Sequence, residues 1–459
     1  MKHRKLRILV TLLFLVGSLV PFSIFAPEAS AATFTVDSTG DGGDSNPGNG
    51  VCNNGSGVCT LRAAIQEANA LNGTDTINFD IAGGGVKTFT PGSALPTITE
   101  AVTLDASTQT GATCGDLVPD TLPADSNTPH ELTVEIDASG IDPDSALAVD
   151  GAVGESGSVA ITGFVLNGSA SAAGVSVTDS TDNDTLEVAV TCSYLGTNVT
   201  GSAADANAYG VVAFSTGDVT VSVSNSLISG NSVYAVGGEV ASMTVEDSLV
   251  GTDETGTTAI GNAGEGALYA SADASLTAEG NIIAGNNTHA ILTTDATNTY
   301  DGNYIGLNLA GEVLENGGDG INVLGAAGSV SIGETTGNVI SGNMGDGIQL
   351  YNDCNASNDI YSGVLENNLI GTDTAGELSS GYGNGENGIR IYEWSGACGT
   401  VEGVRIGGVT STSDQNVIAG NTENGILIYQ TPDTDVRDIA ILINSIHSNG
   451  DLGIDLAMD

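Results

Sequence analysis

Aromatic side chains make up only 4% of the 459 residues, and a single one is tryptophan. Large globular cores draw much of their buried volume from such residues, so a thin interior of small side chains is expected. Positive charge is scarcer still, with nine Lys and Arg against 56 Asp and Glu. Phosphate backbones demand a basic face, and this balance excludes nucleic acid as a partner. It argues equally against anionic membranes and polyuronates as tightly held partners, and favours solubility, cations, high salt or a basic partner. The chain has no C-x-x-C pair and no His/Cys cluster, which argues against zinc. Beyond the N-terminal leader no apolar run is long enough to cross a bilayer, so no membrane insertion of the mature chain is expected. Disorder is excluded too, because 40% of the residues are hydrophobic and strand patterns recur.

Glycine is abundant, at 65 residues, and so is one phrase. Asn338-Val339-Ile340-Ser341-Gly342-Asn343, followed by Gly347-Ile348-Gln349-Leu350, returns as Asn416-Val417-Ile418-Ala419-Gly420-Asn421 and Gly425-Ile426-Leu427-Ile428. Degraded copies run from Asn281 to Asn286 and from Asn444 to Asn449. A unit this short cannot bury its own apolar face, so copies must stack. The boxes begin at Ser193, Ser226, Ser248, Asn281, Asn303, Asn338, Asn368, Asn416 and Asn444, in steps of 33, 22, 33, 22, 35, 30, 48 and 28 residues. Steps near 22 suit one coil of a parallel β-helix with three short strands and three turns; longer steps insert residues at a turn. Ile348 and Leu350, Ile389 and Ile391, and Ile426 and Ile428 alternate with the strand period. The Gly, Asn and Asp clusters before them are corner chemistry. Eight consecutive coils place Asn near one corner: Asn231, Asn262, Asn286, Asn316, Asn343, Asn384, Asn421 and Asn449. Stacked in register, these amides form a ladder that holds the corner together rather than a site.

Lys2, Arg4, Lys5 and Arg7 precede the apolar run Ile8 to Val20, and Ala29-Ser30-Ala31 is a small-residue cleavage box. Residues 1–31 therefore read as a signal peptide, with an uncleaved anchor as the alternative. Its removal takes four of the nine basic residues and one acid, Glu28, and moves the net charge from −47 to −50. Arg62, Lys87, Arg390, Arg405 and Arg437 remain. Six cysteines suit an oxidising compartment and allow 15 pairings. Cys52 and Cys59 flank a short Asn/Gly loop and pair locally. Cys354 and Cys398 follow equivalent strands of consecutive coils, which pairs them too, and Cys114 with Cys192 is what remains.

An open β-helix end exposes unpaired strand edges and needs a cover. Residues 60–71 supply a helix: Leu61, Ala64, Ile65, Ala68 and Leu71 make one apolar face, Thr60 can cap the start and Asn72-Gly73 the end. Ile77, Phe79 and Ile81 then alternate as a first strand. Residues 33–100 form the cap and first coil, and 101–459 the repeats. Thr35-Val36-Asp37-Ser38 and Cys59-Thr60-Leu61-Arg62-Ala63-Ala64-Ile65-Gln66-Glu67-Ala68-Asn69 resemble the N-terminal domain named for its Cys-Ser-Leu-Arg-Glu-Ala (CSLREA) motif, with Thr60 for Ser and Ala63 for Glu. The resemblance covers roughly residues 33–82. It implies right-handed parallel β-helix repeats, of the pectate-lyase-like kind, in a secreted or surface-exposed bacterial protein, and supplies no catalytic residue. The fold class is thus all-β, a right-handed parallel β-helix solenoid with an N-terminal helix-containing cap. Asp459 falls inside a coil, so a longer natural protein is expected.

Pectate-lyase-like chemistry needs clustered Asp with an Arg or Lys base, and polygalacturonase-like chemistry needs Asn-Thr-Asp, Asp-Asp, Gly-His-Gly and Arg-Ile-Lys. Arg390-Ile391-Tyr392 is a poor echo of the last, and His130, His289 and His447 read as turn or surface residues. Asp253 and Asp373 hold equivalent turns four coils apart, about 19 Å at the spacing of adjacent strands, too far to cooperate in glycoside hydrolysis. No catalytic residue is assigned. Asp319, Asp346, Glu386, Glu423 and Asp451 precede the Gly-Ile step in five coils and are candidate calcium ligands; no cofactor is required. Tyr351, Tyr392, Trp394 and Tyr429, expected to be exposed aromatics near turns, with three of them after the same strand in successive coils, are candidate contacts for a glycan. The expectation is a secreted or cell-surface rod, adhesin-like or glycan-contacting, whose partner is an extracellular polysaccharide or a surface protein. The alternative is a polysaccharide lyase or glycoside hydrolase.

Overall fold

The structure is a computed structural model describing residues 31–151, 157–179, 185–215, 218–239, 241–326, 329–352, 359–360, 362–393, 400–409, 414–430 and 436–458. Three parallel sheets of 13, 12 and 11 strands run the length of the chain, and successive strands of one sheet belong to successive coils. One coil is Ser242–Glu246 in the first sheet, Leu249–Val250 in the second and Gly266–Ser271 in the third. The molecule is a right-handed parallel β-helix, the hand that parallel crossovers take.

Inward side chains stack in columns, as where Val188 pairs with Val221 and Val221 with Met243. Most are Val, Ile, Leu and Ala, and they merge into one core from Phe34 to Val436. Small side chains suffice because each coil needs to fill only the space between its own three strands.

Second-sheet strands are mostly two residues long, as at Leu227–Ile228 and Val339–Ile340. The reason lies in the box, which flanks its apolar pair with amides on both sides. From Asn231 to Asn449 the expected eight-residue ladder forms, each Nδ2 donating to the next Oδ1 at 2.8–3.0 Å. A second ladder runs along the box starts Asn281, Asn303, Asn338, Asn368, Asn416 and Asn444 at 2.9–3.1 Å. Below it the Ser193 and Ser226 amides donate to the next serine hydroxyl, and the Ser248 amide joins the column to Asn281 Oδ1.

The helix covers Leu61–Ala68, shorter than expected, with Thr60 accepting from the Ala63 amide and Asn69 closing it. Leu61, Ala64, Ile65 and Ala68 are buried over the first coil. Arg62 binds Asp41 at 2.8 Å. Glu67, fully buried, accepts from the amides of Gly48, Gly50 and Val51. Cys52–Cys59 and Cys114–Cys192 are formed; Cys354 and Cys398 lie outside the described residues.

The segment 106–133 leaves the coil as an arm along the outer face of the second sheet. Its Leu117, Val118 and Leu132 share a second core with Val165, Tyr194, Leu227, Leu249, Ile282 and Tyr304. Asn225 accepts from the Leu117 amide and donates to Gly115, and the Ala124 amide reaches the Leu309 carbonyl. His130 belongs to this packing: it is 6% exposed and stacks on Tyr194 at 5.6 Å, so it is not the turn or surface residue expected. Among the described residues no helix is long and apolar enough to cross a membrane.

Candidate functional site

The outer face of the third sheet, from His289–Thr294 through Ile321–Leu324, Ile348–Asn352 and Ile389–Glu393 to Ile426–Gln430, carries the densest polar chemistry. Asp319, Asp346, Asn387 and Asn424 each precede the glycine that opens a strand and form a third, shorter ladder. Asp319 Oδ1 accepts from the Asp346 amide at 2.7 Å, Asp346 Oδ1 from the Asn387 amide at 2.8 Å, and Asn387 Oδ1 from the Asn424 amide at 3.2 Å. The glycines that follow must lack a side chain. A Cβ on Gly347 would stand 2.6 Å from the Gly388 carbonyl oxygen and one on Gly388 2.7 Å from that of Gly425.

Two ladder positions thus hold carboxylates where amides would serve. Asp319 is fully engaged, since its Oδ2 also accepts from Asn322 and Gln349, each at 2.7 Å. Burial raises its pKa, but the hydrogen bonds and the neighbouring His289 outweigh burial and hold it below the usual value. His289 Nδ1 lies 3.2 Å from Asp319 Oδ2 and 2.9 Å from the Asp319 amide. One ring nitrogen faces both groups, and it can accept from the amide or donate to the carboxylate but not do both at once.

Asp346 differs. It is 1% exposed, and its Oδ2 has no hydrogen-bond partner. Burial pushes its carboxyl up to about 6; the bonds from Asn387 oppose this, the charge of Asp319 adds to it, and Arg390 opposes it. Arg390 Nη1 stands 3.6 Å from Asp346 Oδ2 and 3.7 Å from Glu386 Oε2, beyond hydrogen-bond reach, and its buried Nε is unpartnered. The other four described basic residues are engaged: Arg62 with Asp41, Lys87 with the carbonyls of Ala82 and Gly83, Arg405 with Glu366 and Arg437 with Glu402.

The five acidic residues that precede the Gly-Ile step, loose in register by one residue, fall into two columns. Asp319 and Asp346 lie in the ladder; Glu386, Glu423 and Asp451 sit one residue earlier and are exposed. Their backbones follow one another, Glu423 N–H to Glu386 O at 3.0 Å and Asp451 N–H to Glu423 O at 2.9 Å, so they make an outer edge. Among the described residues no group of three or more His, Cys, Asp or Glu is placed to hold a metal. Asp253 and Asp373 accept amides within their own turns, which accounts for their repetition.

Tyr351, Tyr392 and Tyr429 are register partners in successive coils. The first two rings stack 5.0 Å apart and within 3° of parallel, and the Arg390 guanidinium lies 4.4 Å from the Tyr392 centroid. Tyr392 thus has both a stacked ring and a cation beside it. At 6% exposure it is not the open aromatic expected. Tyr351 and Tyr429 are half-buried, and Trp394 lies outside the described residues. A second series lies lower on the same sheet: Tyr209 meets Tyr234 at 5.7 Å with a tilt of 46°, and Tyr234 stacks on Tyr269 at 4.5 Å. Its signal in the sequence was a tyrosine in each of three successive third-sheet strands.

A separate cleft of about 620 Å³ opens between the arm and the corner joining the first and second sheets, lined among others by Asp120, Asp247, Glu279, Asp301 and Tyr304. Burial, then the surrounding carboxylates, raise Asp247 and Glu279. The arm's course across several coils was not legible beforehand, and neither was this cleft.

Fold and face together define the class: a parallel β-helix with an engaged, polar third sheet. No family model matches the chain, the Cys-Thr-Leu-Arg segment included. No curated protein matches it. Seven solved chains do. The A-module of mannuronan C-5 epimerase AlgE4 from Azotobacter vinelandii is 13% identical, over 90% of this chain and 96% of that one, at a TM-score of 0.41. PfbA, a surface adhesin of Streptococcus pneumoniae, is 11% identical over 93% of each chain at 0.36. A periplasmic alginate epimerase, AlgG, is 11% identical over 81% and 78% at 0.34. At these identities and scores none of them carries chemistry over to this chain.

Proposed function

We propose that the chain is an exported bacterial β-helix rod that contacts an extracellular polysaccharide through the outer face of its third sheet, around Asp346, Arg390, Tyr351 and Tyr429. One observation carries this reading. In a chain of net charge −47, Arg390 alone among the described Lys and Arg side chains makes no hydrogen bond, and the acceptor it pairs with loosely at 3.6 Å, Asp346 Oδ2, makes none either. Unmet buried donors and acceptors side by side call for a group that is both, as a sugar hydroxyl is. The half-buried rings of Tyr351 and Tyr429 border the same strands and offer apolar surface to a sugar ring. A basic surface protein as partner accords with the net charge but leaves these two groups unexplained.

The second reading, a polysaccharide lyase or glycoside hydrolase on the same face, is favoured by the Asp346 carboxyl itself. A pKa of about 6 suits a general acid or base near neutrality.

A polysaccharide array with the mature chain, scored for retention and for released sugars, separates the two. Retention without products, weakened at least tenfold by Arg390→Ala and by Tyr351→Ala, supports the rod. Released products lost in Asp346→Asn support the enzyme. Retention untouched by Arg390→Ala moves the contact elsewhere.

A further inference from the structure

The first coil contains a buried carboxylate that lacks a partner. Asp75 is 0% exposed. Its Oδ1 accepts from the Ala32 amide at 2.7 Å, and its Oδ2 has no hydrogen-bond partner. Burial raises its pKa, the Ala32 bond opposes this, and the nearby charge of Glu67, itself fully buried, raises it further. Such an oxygen is costly unless a donor, best a charged one, meets it.

Ala32 is held in place from its other side: its carbonyl accepts from the Thr76 amide at 2.8 Å, and Thr33–Val36 continues as a strand paired with Thr76–Phe79. The nitrogen at Asp75 is therefore fixed by the sheet. The residue before it, Ala31, is exposed and ends the Ala29-Ser30-Ala31 box. Hydrolysis of the Ala31–Ala32 bond by a signal peptidase consumes one water and leaves a carboxylate on Ala31 and an ammonium on Ala32. The amide that now gives Asp75 one donor becomes a cation with three.

We propose that Asp75 is the built receptor for the α-ammonium that cleavage after Ala31 creates at Ala32, so that removal of the leader completes the cap. The new cation sits on Oδ1 with a donor to spare for Oδ2, and offsets a buried charge that otherwise faces only Glu67. The leader-bearing chain holds the same strand with that carboxylate unmet, so the cap is weaker before export than after it.

The test compares three forms of the chain: one beginning at Ala32, one retaining Ala31, and one beginning at an acetylated Ala32. Each is made with Asp75 and with Asp75→Asn. The free Ala32 form is expected to melt several degrees above the other two, and Asp75→Asn to bring all three together. A paired amine has its pKa raised above the ordinary 7.7–8.0 or so, so the advantage is full below that range and lost as pH rises through the raised value. Should Asp75→Asn fail to fold, acylation of the α-amine in the unaltered protein decides: labelling roughly tenfold slower than at a free N-terminus, the effect of one pKa unit, is expected. An exported chain whose mass places the cleavage elsewhere, equal melting of the three forms, or labelling at the free rate would each overturn the proposal.

Discussion

At the scale of single residues the molecule depends on buried amides, and two positions break that pattern with carboxylates. Asn343 is 1% exposed; its Oδ1 accepts from Asn316 and its Nδ2 donates to Asn384 and to the Ile305 carbonyl. Asn343→Ala orphans several buried groups together, and a loss of about 2–4 kcal/mol in chemical unfolding is expected. Asp346→Asn should go the other way. A carboxyl raised to about 6 in the folded state and near 3.8 unfolded binds its proton more tightly when folded. Its contribution is therefore fully present below pH 4 and lost as pH rises through 6, a change on the order of 3 kcal/mol. The amide variant has no such proton, so unfolding curves between pH 4 and 7 should show a shallower decline than the parent protein. These roles were partly legible in the chain. Asp319 and Asp346 directly precede glycine as Asn387 and Asn424 do, whereas Glu386 and Glu423 stand one residue further back. In strands one residue changes the face, which is why a loosely aligned acidic column dissolved into two.

At the scale of elements, local pattern sufficed wherever neighbours in sequence are neighbours in space. The cap helix was visible because Thr60, Leu61, Ala64, Ile65 and Ala68 encode their own turn and face, and the coils because each repeats the one before. The arm was not visible. Its apolar residues Leu117, Val118 and Leu132 share a core with residues of several later coils, from Val165 to Tyr304, and no short-range period announces such a meeting. Only Cys114 and Cys192 hinted at it. Their bond closes a separation of 78 residues, and in the chain-entropy model such a loop restrains the unfolded chain by about 4–5 kcal/mol. Cys114→Ala is expected to lower the melting temperature and to free the arm first. Limited proteolysis should then cut between Gly115 and Pro129 while the coils remain intact. Cuts spread evenly through the coils would show that the arm is an integral part of the stack.

At the scale of the whole molecule, charge and architecture act against each other. Adjacent coils stand about 4.8 Å apart, inside the screening length of about 10 Å at 0.1 M salt, so carboxylates repeated on one corner repel their neighbours above and below. Glu386, Glu423 and Asp451 make such an edge, and the net charge of −47 makes the effect general. Stability in a solenoid is close to a sum of nearest-neighbour terms, so a small repulsion at each interface accumulates along the rod. Raising sodium chloride from 0.01 to 1 M is therefore expected to raise the melting temperature steadily. Calcium and magnesium at matched ionic strength should act alike, because the two acidic columns diverge and no three described carboxylates converge on one point. A rise specific to calcium, reversed by a chelator, would instead require a site that the acidic edge builds only when occupied. Removing Glu423 and Asp451 together distinguishes the cases: a diffuse field loses salt sensitivity in proportion to the charge removed, whereas a bound ion is lost outright.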